Sequence, residues 1–290
     1  MDIHLKKGFY ILILIFGLNT AVLADGYFGD FNEPTKPVVD SSTISAEDDF
    51  SGAYLGIGGG IVAVTTEIKN LTSMDVTSQH LHSYGSDNFK SLGKFGFNAD
   101  IFGGFGKVFK EKYYLGGEIF GNYNSPKTED SYDYYVIDSE NETQHLTNID
   151  VEAKSHYSFG GDIRAGYTIL PKAMIYLLVG FNYAYWDVKT LLVGGKIESG
   201  WKIIPTVSAD FDKWSLGIMP GLGAEMKLSD RISLRLEYLH NFYCSFKRDI
   251  RKSGDIKDRS GNNDHWNSSI YTKVDPSSNL FTLKLSYLFY

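Results

Sequence analysis

The stretch RISLRLEYLHNFY, residues 231–243, alternates apolar and polar side chains along its length. One face of a strand with this sequence is apolar and carries Ile232, Leu234, Leu236 and Tyr238. The other face is polar and carries Ser233, Arg235, Glu237 and Asn241. Because successive side chains of a strand point to opposite faces, the pattern predicts a strand that separates an apolar from a polar environment.

The same alternation recurs along the chain in segments long enough to cross a membrane as tilted strands. Eight such strands are predicted, at residues 53–64, 95–109, 113–124, 157–169, 174–186, 213–226, 231–243 and 279–290. Their connections alternate in length. Three are short, at 110–112, 170–173 and 227–230, and four are long and polar, at 65–94, 125–156, 187–212 and 244–278. Short turns at one rim and long loops at the other predict an all-β, eight-stranded antiparallel transmembrane β-barrel.

A soluble lipocalin-like barrel is the alternative, and it would hold its apolar face inward. The charged side chains argue against it, because they share the face opposite the apolar one: Asp100, Glu118, Asp162, Arg164, Glu225, Arg235, Glu237 and Lys284. Counted from the short-turn rim, five of them lie at one height and predict an ion-pair layer across the lumen: Glu118, Arg164, Arg235, Glu237 and Lys284. Buried charges of both signs should pair and fill a narrow interior, although a catalytic use of such carboxylates is a second interpretation.

The N-terminal residues have the pattern of a secretory signal peptide. Lys6 and Lys7 precede an apolar run at 8–18, and small residues lead to a predicted cleavage between Ala24 and Asp25. Residues 25–50 are acidic, carry two prolines and predict an extended periplasmic leader before a barrel domain at 51–290. The domain boundaries are therefore expected at 1–24, 25–50 and 51–290.

Composition narrows the classes of function. The chain has 20 Tyr, 19 Phe and 30 Gly with a net charge of −7, which favours strands and turns and disfavours nucleic-acid binding. The single cysteine, Cys244, excludes an intramolecular disulfide. Neither a cofactor nor a metal is expected, since His80 and His82 form a pair without a third ligand nearby in the sequence.

Three motifs resemble the OmpA/OmpX-like, opacity-type family of outer-membrane β-barrels. They are DDFSGAYLGIGGG at 48–60, the RISLRLEYLHNFY strand at 231–243, and the aromatic final strand NLFTLKLSYLFY at 279–290. The resemblance covers about residues 49–290. It implies a location in the outer membrane of a Gram-negative bacterium, with lipid, lipopolysaccharide and the barrel-assembly machinery as partners.

The expected function resides in the long loops. They contain aromatic residues of the kind that is favoured at recognition surfaces: Tyr132, Tyr134, Tyr135, Trp201 and Trp266. We therefore expect a surface protein that is not an enzyme, supports the envelope and presents loops to a host-cell or matrix ligand. A small low-conductance pore is the first alternative. A lipid-modifying enzyme is the second, with His240 near the outer rim as its only suggestive residue.

Overall fold

The structure, a computed structural model, describes residues 50–76, 81–90, 94–138, 143–192, 195–196, 203–204, 206–257, 261 and 263–289. These ranges contain no helix that is long and apolar enough to cross a membrane. They form fourteen strands: β1 (Gly52–Val76), β2 (Leu81–Lys90), β3 (Lys94–Phe109), β4 (Tyr113–Asn124), β5 (Lys127–Asp138), β6 (Thr143–Lys154), β7 (Tyr157–Leu170), β8 (Ala173–Leu192), β9 (Gly195–Lys196), β10 (Ile203–Ile204), β11 (Val207–Lys227), β12 (Ile232–Tyr243), β13 (Phe246–Lys257) and β14 (Asn263–Phe289).

Eight of these strands close into an antiparallel ring, in the order β1, β3, β4, β7, β8, β11, β12, β14 and back to β1. The closing pair is β1 with β14, in which Ala53 lies opposite Phe289 and Val64 opposite Ser278. The ring confirms the predicted eight-stranded barrel. Closure removes the free sheet edges that would otherwise expose unpaired backbone groups.

The two faces of the ring have opposite polarity. Its outer face is apolar and exposed, as at Phe95 (77%), Ile119 (73%) and Leu177 (68%). Aromatic side chains mark both ends of this surface, for example Tyr113 and Tyr123 on β4, which lie at its two ends. Ten residues of a strand tilted by about 40° span about 25 Å, the height of the apolar band of a transmembrane barrel.

Tight turns join the ring strands at the rim of the short connections, as predicted. The β3–β4 turn holds Lys110 and Glu111 at φ values of 50° and 62°, and the Lys112 amide donates to the Phe109 carbonyl at 3.2 Å. Two consecutive positive φ values are the signature of a type I′ turn, whose twist suits a hairpin.

The four long connections differ from the expected polar loops, because much of their length is β-strand. Strands β1, β8, β11 and β14 continue beyond the ring, and β2, β5, β6 and β13 pair with them or with one another. We call this part of the sheet the extension; its order is β13, β14, β1, β2, β5, β6, β8, β11. The prediction failed because these strands are water-exposed on their outer side, so their polar residues suggested loops.

Candidate functional site: the barrel interior and the extension

All eight ring strands contribute to a cluster of charged and tyrosine side chains inside the barrel. The structure brings the five residues of the predicted ion-pair layer together and adds three carboxylates, Asp100, Asp162 and Glu225. We call these eight side chains the charged cluster: Asp100, Glu118, Asp162, Arg164, Glu225, Arg235, Glu237 and Lys284. All of them are buried.

Glu118 on β4 lies at the centre of the charged cluster. It forms an ion pair with Arg164, accepts a hydrogen bond from Arg235 at 2.7 Å, and lies 3.4 Å from the Lys284 Nζ. Three cations from three other strands therefore converge on one carboxylate. Such convergence offsets the cost of burying the carboxylate, because the attraction between buried charges is weakly screened.

Glu237 holds the opposite side of the charged cluster. Its Oε2 lies 2.8 Å from the Lys284 Nζ, and its Oε1 accepts a hydrogen bond of 2.6 Å from the Tyr176 hydroxyl. Glu225 forms an ion pair with Arg235, whose Nε lies 3.2 Å from its Oε2, and also accepts a hydrogen bond from Ser233. Arg164 Nε donates to Asp162 at 3.0 Å. Ion pairs thus tie the ring strands to one another across the lumen.

Aromatic rings cover the guanidinium groups, a feature that the alternation of the strands does not predict. The Arg235 guanidinium lies 4.3 Å from the Tyr54 ring centroid and 4.9 Å from that of Phe102. A cation over an aromatic face gains electrostatic attraction that is larger in a desolvated site. Glycines make room for these rings, since a Cβ on Gly104 would collide with Tyr54 and one on Gly223 with Tyr176. Glycines opposite lumen-facing tyrosines were the signal that could have revealed them.

Above the charged cluster, the lumen contains amide side chains and then an apolar core. Asn98 donates to Asn124 at 2.9 Å, and Asn182 donates to both Asn241 and Tyr243 at 3.1 Å. Beyond them the inward faces of the extension strands share one apolar cluster, whose members include Ile68, Ile149, Val151, Trp186, Val188, Leu192, Phe246, Ile270 and Val274. Trp186 is 0% exposed. The described interior is therefore packed with side chains at several heights.

The outer face of the extension is polar and exposed to solvent. On β5 and β6, Lys127 forms ion pairs with Glu129 and, at 2.8 Å, with Glu152. The hydrogen bond to Glu129, followed by that to Glu152, raises the pKa of Lys127 to about 12. The hydrogen bond from Lys127 in turn holds the pKa of Glu129 below its usual range. These surface pairs keep both side chains charged at neutral pH.

The predicted recognition aromatics are not assembled into one site. Trp266 on β14 is half-buried and packs against the apolar cluster inside the extension, which differs from the exposed loop position that we expected. It faces inward because β14 alternates, with Ser268, Ile270 and Thr272 buried after it. For Tyr132, Tyr134 and Tyr135 the structure describes the backbone of β5 only, and Trp201 lies outside the described residues.

Other predictions also fall outside the described ranges: the signal peptide at 1–24 with Ala24 and Asp25, residues 25–49 of the leader predicted at 25–50, and His80. His240 lies on β12, where its Nδ1 is 2.7 Å from the Asn279 side-chain oxygen. Among the described residues, no group of three or more His, Cys, Asp or Glu side chains is arranged to hold a metal ion.

The chain was compared with curated proteins and with solved structures. A search of curated proteins finds no match. Among solved structures, the chain is similar to the protease OmpT of Escherichia coli (9% identity, 82% of this chain and 97% of that one, TM-score 0.40) and to OprG of Pseudomonas aeruginosa (12%, 82% and 97%, 0.36). It is also similar to the attachment invasion locus protein Ail of Yersinia pestis, solved with the heparin analogue sucrose octasulfate (9%, 75% and 98%, 0.24). At such identities and TM-scores these likenesses assign no activity or ligand to this chain.

The family comparison covers most of the sequence. Residues 41–289 match the model of the outer membrane protein beta-barrel domain, a range that includes every strand described above. Barrels of the Gram-negative outer membrane have an apolar outer face, aromatic residues at both ends of that face and short turns at one rim. The ring described above has all three features. The chain therefore belongs to the outer membrane protein β-barrel family.

Proposed function

We propose that this protein is a surface anchor whose extension binds a ligand outside the cell, on a host cell or in its matrix. The observation that carries the proposal is the apolar core of the extension, with Trp186 and Val188 at 0% exposure. This core makes the extension a folded, preorganised surface. A surface that is already ordered loses less conformational entropy on binding than a flexible loop does.

The packed interior favours this function over a pore. Solutes would have to pass the charged cluster, in which Arg164 and Arg235 are 0% and 1% exposed, and then the apolar core above it. A lipid-modifying enzyme stays the second alternative, and the three functions differ in what an assay should detect. Envelope support by the barrel itself is part of the proposal.

The test is to remove one hairpin of the extension and measure attachment. The Asn124 backbone amide donates to the His156 carbonyl at 2.8 Å, and Lys127 lies opposite Lys154 where the hairpin begins and ends. An Asn-Gly turn in place of residues 127–154 can therefore join β4 to β7 directly. Cells that display this variant should fold the barrel, as judged by heat-modifiable migration in detergent, but attach less to cultured epithelial cells and immobilised matrix proteins.

Deletion of the hairpin also removes Ile149 and Val151 of β6 from the apolar core. A second variant therefore leaves the core intact. It replaces the exposed residues Glu129, Ser131 and Asp150 by alanine. The matched control replaces the exposed turn residues Lys110 and Glu111 by alanine at the opposite rim. Attachment by both extension variants at the level of the control would overturn the proposal. Ion conductance in planar bilayers would favour the pore, and a changed lipid A mass would favour the enzyme.

The domain boundaries are also part of the proposal. We infer that the mature chain begins at Asp25 and that residues 25–50 form a periplasmic leader. Intact mass spectrometry of the protein from outer membranes should give a mature N-terminus at Asp25. Any other N-terminus would contradict this assignment.

A further inference from the structure

The buried charges of the described barrel do not balance. Five carboxylates are buried, on Asp100, Glu118, Asp162, Glu225 and Glu237. Four cations are buried with them, on Arg164, Lys227, Arg235 and Lys284. The described interior is therefore one positive charge short. An uncompensated charge in a water-poor interior is strongly unfavourable, so something must supply the missing charge.

Asp100 on β3 is the carboxylate with the weakest neutralisation. Its only cationic partner among the described residues is Lys284, at 3.3 Å. Lys284 also forms ion pairs with Glu237 at 2.8 Å and with Glu118 at 3.4 Å. Neither carboxylate oxygen of Asp100 makes a hydrogen bond in the described structure. The charge deficit is therefore located at Asp100.

A small cavity adjoins Asp100. Its volume is about 10 Å³, and its oxygen-bearing lining consists of Asn98, Asp100, Asn122, Asp162 and Thr282. Lys284 and four apolar side chains complete the wall, so the charged groups that line the cavity are two carboxylates and one ammonium. The side-chain oxygens of Asn98 and Thr282 are buried without a hydrogen-bond partner. The amide of Asn98 donates to Asn124, which leaves its oxygen free to act as a ligand. A cavity of this size holds one water-sized body.

We propose that this cavity binds one small monovalent cation, of the size and charge of Na⁺. One further positive charge would balance the five buried carboxylates against the four buried cations. A lining of carboxylate, amide and hydroxyl oxygens suits a hard cation. A divalent ion would reverse the deficit, and the site has only two carboxylates. The proposal stands independently of the ligand-binding function proposed above.

The test compares the full chain refolded into detergent with NaCl or with choline chloride at equal ionic strength. After desalting into choline buffer, the protein refolded with NaCl should retain one sodium per chain by elemental analysis. Its thermal midpoint should also exceed that of the choline sample by about 5 °C, the shift expected when a site that only the folded state provides is saturated.

Two variants and a control make the assignment specific. Asp100→Asn removes the surplus charge and should abolish both sodium retention and the salt-specific shift. Thr282→Val removes one neutral oxygen without changing the charge and should weaken retention, which provides a test should Asp100→Asn not fold. Asp210→Asn changes an exposed carboxylate of the extension and should behave like the wild type. Equal midpoints in sodium and choline without retained sodium would overturn the proposal, because a proton or a water would then occupy the site.

Discussion

Replacement of Arg235 by methionine should destabilise the barrel strongly, because it breaks the charged cluster without leaving a large void. Arg235 is 1% exposed and forms ion pairs with Glu118 at 2.7 Å and with Glu225 at 3.2 Å. Glu118 keeps Arg164 and Lys284. Glu225 loses the ion pair with Arg235 and keeps the hydrogen bond from Ser233. The main cost is therefore one buried carboxylate that has lost its ion pair with Arg235.

The magnitude follows from this accounting. Removal of one partner of a buried ion pair costs about 3 to 5 kcal/mol. Loss of the cation from the Tyr54 face adds about 1 kcal/mol, and the methionine side chain recovers part of the packing. We expect a net loss of about 4 kcal/mol. With a denaturant dependence of about 2 kcal/mol per molar urea, the unfolding midpoint should fall by about 2 M.

The assay is reversible urea unfolding in lipid vesicles, followed by tryptophan fluorescence. The double variant Arg235→Met/Glu225→Gln removes the stranded carboxylate and should recover at least about 2 kcal/mol of the loss. Arg251→Met is the matched control, since Arg251 has an exposed side chain on β13 and its loss should change stability by less than about 0.5 kcal/mol. A wild-type midpoint for Arg235→Met, or a double variant no more stable than the single one, would refute the reasoning.

Three further predictions concern other parts of the molecule. Lys110→Asn with Glu111→Gly should stabilise the barrel by about 1 kcal/mol, because both positions have positive φ; an unchanged or lower urea midpoint would contradict this. Trp186→Ala should cost about 3 to 5 kcal/mol and speed hydrogen exchange in β6, β8 and the outer part of β11, while the turns at the other rim keep their protection; equally faster exchange in all strands would contradict a local role of Trp186 in the extension. The pKa of Glu129 is lower in the folded protein than in the unfolded chain, so its ion pair with Lys127 stabilises the fold at pH values above the unfolded pKa of Glu129. This stabilisation is lost as the pH falls through the folded pKa. Lys127→Met should raise the pKa of Glu129 towards its ordinary value in an NMR titration, and no change would exclude Lys127 as the cause.

The barrel could be predicted from the sequence because its strands separate two very different environments. Strand β12 has exposed Leu236 next to buried Arg235 and Glu237, an alternation that few other structures produce. Charged side chains with the same parity and height were therefore expected to meet, and the structure places them together. Asp100, Asp162 and Glu225 also face the lumen, but they lie at other distances from the rim than the five residues of the predicted layer.

The extension could not be predicted in the same way. On β6, Ile149, Val151 and Ala153 alternate with polar residues, but Leu146 has the opposite parity, so only three apolar residues mark the inward face of the strand. Its partners lie on β5 and β8, and Lys127 pairs with Lys154 across a separation that a local pattern does not reveal. Packing between distant segments decides whether such a sequence forms a strand or a loop.

The filled interior also ties the two ends of the barrel's sequence to each other. The charged cluster and the apolar core occupy the described lumen, so the closed ring leaves no passage along which a strand of the extension could slide. The cluster also joins strands far apart in the sequence, since Glu118 and Arg235 are separated by 117 positions. Contacts of such long range form late. The ion pairs therefore hold the ring closed through contacts that no single hairpin can make within itself.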